Sequence, residues 1–180
     1  MLVNCAGVLQ HGPFIGMPAQ RHQPLIDLNI SGLTAMLAAF VPGMVARGGG
    51  RVLNVASIAA FQPVPSLPTY AATKACVLSL TESMSEELKG TGVTITALCP
   101  GITATHMLTE ASAGSAELDK LPQILVGSAD DVADQGFEAC RRGDVICVPG
   151  ALNRAAVVAG RATPKWWLRR ISGALLRRMK

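Results

Sequence analysis

Arg51-Val-Leu-Asn-Val-Ala-Ser57 follows Gly48-Gly-Gly50, is apolar and rich in β-branched residues, and closes in small ones. A run of this kind is what a strand covered on both faces of a parallel sheet requires, so Ser57 is expected at the carboxyl end of a buried strand. Ligands of open α/β sheets bind at that edge. Thirteen residues further on comes Tyr70-Ala-Ala-Thr-Lys74. On a helix, positions i and i+4 share a face one turn apart, which brings the Lys74 ammonium close to the Tyr70 phenol. A phenol titrates near ~10 when unperturbed, and a neighbouring cation favours the phenolate. The triplet is therefore expected to supply a proton-transfer group (Tyr70), its activator (Lys74) and a substrate anchor (Ser57).

Outward from that core the chain alternates strands and helices. Residues 1–4 read as a strand stub. A long helical region is expected over about 18–46, with a break at Pro42-Gly43. A strand follows over about 51–56, then a helix over about 68–89 closed by Gly90. Val93-Thr-Ile-Thr-Ala-Leu-Cys99 is a third strand. Residues 102–127, polar and rich in small side chains, are expected to form a mobile segment on the substrate side. Ser128-Ala-Asp-Asp131 resembles a capping box for a helix to about 142, with Asp where Glu or Gln is preferred. Asp144-Val-Ile-Cys-Val148 is the last strand. This alternation implies an α/β fold with a parallel, doubly wound sheet.

The 180 residues, 49% of them hydrophobic, with mean hydropathy +0.36, are enough for one well-packed domain, expected over 1–150. No apolar stretch reaches the ~18 residues of a membrane span, and Met1-Leu-Val is too short for a signal sequence. The five cysteines, at 5, 76, 99, 140 and 147, form no CxxC. They read as small buried hydrophobes of a reducing, cytoplasmic compartment. His11, His22 and His106 lack metal-ligand spacing, so no metal site is expected. His106 is a candidate for lining a substrate pocket, and Cys99 has no visible activating base.

Five elements in one order resemble the short-chain dehydrogenases/reductases. Asn4-Cys-Ala-Gly7 is similar to that family's NNAG, with Cys5 replacing the second Asn. Asn29, within Leu28-Asn-Ile-Ser-Gly32, falls where the family keeps a catalytic Asn. Ser57, Tyr70 and Lys74 match the other three members of its tetrad, and Pro100-Gly-Ile-Thr-Ala-Thr105 is similar to the PGxxxT segment over the nicotinamide. The resemblance implies a Rossmann-like fold, NAD or NADP as cofactor, and a small alcohol or carbonyl substrate in a homo-oligomer. It implies cofactor contacts at Asn4, Ala6, Gly7, Tyr70, Lys74, Pro100, Gly101 and Thr105, with Lys74 on the nicotinamide ribose and Asn29 tethering a water that relays protons to Lys74.

Family members open with a strand, a TGxxxGxG turn and a helix whose amides receive the pyrophosphate. Here the first strand resembles the family's fourth, and Gly48-Gly-Gly50 precedes a strand, so it cannot fill that role. The chain is thus expected to be an N-terminally truncated member, lacking roughly 60 to 80 residues. An alternative reading is an inactive fragment or interaction module with an unpaired sheet edge.

Residues 151–180 form a basic extension with eight Lys or Arg and no acid, +8, against −4 for residues 1–150. Trp167, Leu168, Ile171, Leu175 and Met179 recur at helical spacing, with Arg169, Arg170, Arg177 and Lys180 opposite. Such a helix either packs on its own domain or a subunit partner, or lies at an anionic membrane surface through residues 164–180 with Trp166 and Trp167 as anchors. No nucleic-acid reader motif accompanies the charge.

Overall fold

A computed structural model describes residues 1–103, 127–164, 166, 167 and 170. Four strands form one sheet in the order β1 (Leu2–Asn4), β2 (Gly50–Val55), β3 (Val93–Leu98), β4 (Ile146–Cys147). Every neighbouring pair is parallel, with β2 and β3 in register from Gly50↔Val93 to Val55↔Leu98.

The central strands are covered on both faces, which accounts for their apolar character. On one side Val52, Ala56, Ile95 and Ala97 pack against α2 (Leu33–Ala46) and α3 (Pro68–Glu87). On the other, Leu53 and Leu98 meet Cys140 of α4 (Ala129–Arg142). The doubly wound α/β arrangement expected from the sequence is present. Helix α4 approaches β3 closely because residue 136 is glycine: a Cβ there would lie 2.6 Å from Leu98 Cδ2. It starts as expected, with Ser128 Oγ accepting from the Asp131 amide, and closes on Gly143 in the left-handed conformation.

The break expected at Pro42-Gly43 is not there. Helix α2 runs through Pro42. Pro42 and Ala38, whose carbonyl loses its partner, are both exposed, so water can take up that bond. Leu33, Leu37, Val41 and Met44 meanwhile hold the helix on the sheet, each buried large side chain contributing roughly 1.5 to 3 kcal/mol. The irregularity lies earlier: between α1 (Ala19–Ile26) and α2, residues Asp27–Gly32 widen into a π-helical turn. The whole run Ala19–Ala46 is long and apolar enough to cross a membrane by length and composition. Its buried stripe, from Leu25 to Met44, belongs to the core of the domain.

Two asparagines sit inside this core. Asn4 Nδ2 donates to Asn54 Oδ1 across paired strands at 2.9 Å, and Asn54 Nδ2 donates to Thr81 Oγ1 of α3 at 2.9 Å. Thr81 Oγ1 donates in turn to the Val77 carbonyl at 2.7 Å, so both amide groups and the hydroxyl are tied into one ladder, as burial demands.

Helix α5 (Ala151–Ala162) follows β4 where the sequence suggested no element. It rests on the turn 58–61, with Arg161 5.3 Å from the Phe61 ring and 3.7 Å from a Glu82 carboxylate oxygen. The cysteines correct the expectation of uniform burial. Cys99 and Cys140 are buried, but Cys5, in the turn after β1, and Cys76, on the outer side of α3, are exposed. The segment 104–126 and the positions of Leu168, Ile171, Leu175, Met179, Arg169, Arg177 and Lys180 lie outside the described residues.

Candidate active site

At the carboxyl edge of the sheet the chain leaves β2 in an extended conformation at Ser57 and enters the short turn 58–61. Ser57 Oγ accepts from the Ala59 amide at 3.1 Å. The Ile58 amide donates to the Pro100 carbonyl at 2.9 Å, so the exit of β3 fixes the position of Ser57. Helix α3 begins at Pro68, whose ring suits a first helical turn. Tyr70 thereby stands two residues into the helix and faces the end of β2, with its phenol near the Ser57 hydroxyl.

Lys74, one turn on, is 4% exposed. Its Nζ donates to the Val55 carbonyl at 2.8 Å and lies 5.7 Å from the Tyr70 ring centroid. The sequence-based proximity of Tyr70 and Lys74 is realised, but its electrostatic consequence is not. Burial pushes the Tyr70 phenol up from its ordinary value, opposed by the nearby Ser57 hydroxyl, which favours the phenolate. Burial also lowers Lys74 to about 8. Removing both groups from water favours their neutral forms, and at this separation desolvation outweighs the attraction expected to favour the phenolate. The site holds a protonated phenol at neutral pH.

Asn29 occupies the π-helical turn and is 1% exposed. Its Oδ1 accepts from the Val8 amide at 3.0 Å, and its Nδ2 donates to the Val8 carbonyl at 3.0 Å and to Thr73 Oγ1 at 3.1 Å. Thr73 donates in turn to the Tyr70 carbonyl at 2.8 Å. The Asn29 amide is thus a brace joining the loop after β1 to the helix that carries Tyr70 and Lys74. The π turn aims it there, as such bulges often do at functional sites.

The remaining predicted contacts divide. Gly7 borders the same point, since a Cβ on it would lie 3.3 Å from Asn29 Oδ1 and 3.4 Å from Lys74 Nζ. Ala6 is exposed beside it. Asn4 lies below, its amide committed to Asn54. Pro100 lies next to the Ser57 turn through its carbonyl. Gly101 faces Asn153 of α5, which leaves 2.6 Å for a Cβ. Thr105 and His106 lie outside the described residues. Cys99 is buried, its thiol pushed up to about 12 by burial first, which makes it inert.

The sequence reading missed Thr73, the Val55 carbonyl, and the pair His22 Nδ1 and Thr69 Oγ1, which are 2.9 Å apart beside Tyr70. A hydroxyl between Tyr70 and Lys74, on the buried side of the helix, was the available signal for Thr73.

A parallel sheet wrapped on both faces, with a hydroxyl, a phenol and an ammonium at its carboxyl edge, defines a Rossmann-like fold with a polar site at the strand ends. The chain belongs to the short chain dehydrogenase family, whose model matches residues 1–116. It is 35% identical over 109 residues to the probable oxidoreductase EphD of Mycobacterium tuberculosis, covering 60% of this chain and 18% of that protein. It is 33% identical over 133 residues to the 3-oxoacyl-[acyl-carrier-protein] reductase of Synechocystis, covering 74% of this chain and 53% of the reductase. Among solved structures, a short-chain dehydrogenase from Sphingobium yanoikuyae in complex with NADPH superposes with a TM-score of 0.76 at 30% identity, over 88% of this chain and 61% of that one. The chain thus spans about half the length of the Synechocystis reductase and less than a fifth of the mycobacterial protein.

Proposed function

We propose that this chain carries the proton-transfer site of an NAD(P)-dependent oxidoreductase that interconverts a hydroxyl and a carbonyl. The observation that carries the reading is the meeting of Ser57, Tyr70 and Lys74 at one sheet edge, with the Tyr70 phenol half-buried and protonated. In reduction, Tyr70 gives its proton to the substrate oxygen as charge develops there, and Ser57 holds the same oxygen by hydrogen bond. In oxidation Tyr70 must first lose that proton, so the rate in this direction rises with pH.

The residues present suit a nicotinamide dinucleotide. Gly7 leaves open the space in front of Lys74 and Asn29 that a Cβ would narrow, and the buried Lys74 ammonium has two further N–H donors for ribose hydroxyls. The bound cofactor supplies the hydride. The NADPH complex of the Sphingobium relative supports this choice of cofactor.

The reading is tested by incubating the protein with NADH or NADPH and a panel of ketones and following loss of the reduced nicotinamide. Ser57→Ala should lower turnover by roughly 10² or more, as for loss of a transition-state hydrogen bond. Equal turnover in wild type and variant would reject the site.

A further inference from the structure

Helix α5 is built the wrong way round for a helix in water. The residues it turns toward the domain are Asn153, Val157 and Gly160, and none of its residues is buried. Helical spacing puts Ala151, Ala155, Val158 and Ala162 at the centre of the opposite, outward side, with Leu152 and Ala159 along one border and Arg154 and Arg161 along the other. Leu152 is 61% and Val158 68% exposed. A surface helix ordinarily shows water its charged side and the domain its apolar side. Here the centre of the outward side has no polar residue.

Beyond the helix, Trp166 and Trp167 are also 49% and 50% exposed. Their rings lie 5.4 Å apart, and the Arg170 guanidinium is 5.6 Å from the Trp166 ring. Paired tryptophans with cations beside them suit a boundary where one side is apolar and the other wet and anionic.

The charge chooses the occupant. Residues 151–180 carry eight cations and no acid. A twofold contact of this face with its own copy would set one +8 segment against another, an arrangement that costs energy unless anions intervene. An anionic bilayer instead offers hydrocarbon for the strip and phosphate for the arginines.

We infer that the outward side of α5, with Trp166 and Trp167, docks this protein on the surface of an anionic phospholipid membrane. The helix lies in the interface plane, its arginines at headgroup level. The inference is independent of the oxidoreductase reading.

The two tryptophans are the only ones in the chain, so their emission reports on this patch alone. The whole chain is mixed with vesicles of phosphatidylcholine containing about one quarter phosphatidylglycerol, and with vesicles of phosphatidylcholine alone. The anionic vesicles should sediment the protein and shift its emission to the blue. Raising the salt to about half molar should weaken partitioning by about tenfold, because the Debye length shrinks to a few ångströms. Leu152→Glu combined with Val158→Glu should reduce binding by about tenfold or more without lowering the melting temperature, because both side chains already face water. Wild-type protein that ignores anionic vesicles, or that binds neutral ones equally well, overturns the inference. So does a lipid-free, concentration-dependent blue shift that the double variant abolishes, which would assign the face to a second copy of the chain.

Discussion

Lys74 Nζ donates to the Val55 carbonyl oxygen at 2.8 Å and so ties the helix bearing Tyr70 to the strand that leads into Ser57. This bond keeps a cation in a place where burial opposes it, and the opposition is measurable.

Lys74 has its ordinary value of 10.5 lowered to about 8 in the folded protein. Between those values the unfolded chain binds the extra proton, so stability rises with pH across the window from about 8 to 10.5. At about 1.4 kcal/mol per unit, the gain is at most about 3.5 kcal/mol. Tyr70 and Cys99, both raised, act with the opposite sign at higher pH, but they are present in a Lys74→Met variant too. Urea unfolding of both proteins at several pH values isolates the Lys74 contribution. The stability of wild type relative to Lys74→Met should climb from pH 8 toward 10, and a flat difference would contradict the buried ammonium.

The brace between Asn29 and Thr73 makes a second expectation. Asn29→Ala strips partners from the part-buried Val8 amide and carbonyl and should cost about 1 to 3 kcal/mol, whereas Thr73→Val should cost about 1 to 2 kcal/mol. Because the two side chains bond each other, the double variant should lose less than the sum, by about 0.5 to 1 kcal/mol. Strictly additive losses would mean the bond of 3.1 Å contributes nothing.

Gly7 is the place where the proposed cofactor site and the brace meet. Gly7→Ala places a methyl 3.3 Å from Asn29 Oδ1 and 3.4 Å from Lys74 Nζ. Displacing those groups by a fraction of an ångström should lower kcat/KM for the cofactor by about tenfold or more, with little change in Tm. An unaltered cofactor KM and kcat would move the cofactor away from Gly7.

How much of this could be read in the chain depended on whether the signal was local. The strand ending at Ser57, the helix from Pro68 and the pairing of Tyr70 with Lys74 all follow from period and spacing over a few residues. Asn29 was placed by its resemblance to a family motif, but its bonds run to Val8 and Thr73, 21 and 44 residues away. No local pattern shows such partners, and the same holds for the ladder from Asn4 through Asn54 to Thr81. Pro42 misled because its effect depends on which side of the helix it occupies, and that is set by the sheet. The protonation of Tyr70 misled for a related reason: spacing reveals a neighbouring cation, whereas the depth of burial that overrides it is a property of the assembled fold.

The most direct measurement is single-turnover reduction of a ketone substrate by Tyr70→Phe, compared with wild type at neutral pH. Removing the phenolic proton should slow hydride transfer by roughly 10² to 10⁴. Binding of the reduced cofactor should stay within about twofold of wild type, because the ring and its packing are kept. A Tyr70→Phe protein that is folded and transfers hydride at the wild-type rate would contradict the assignment of Tyr70 as the proton donor.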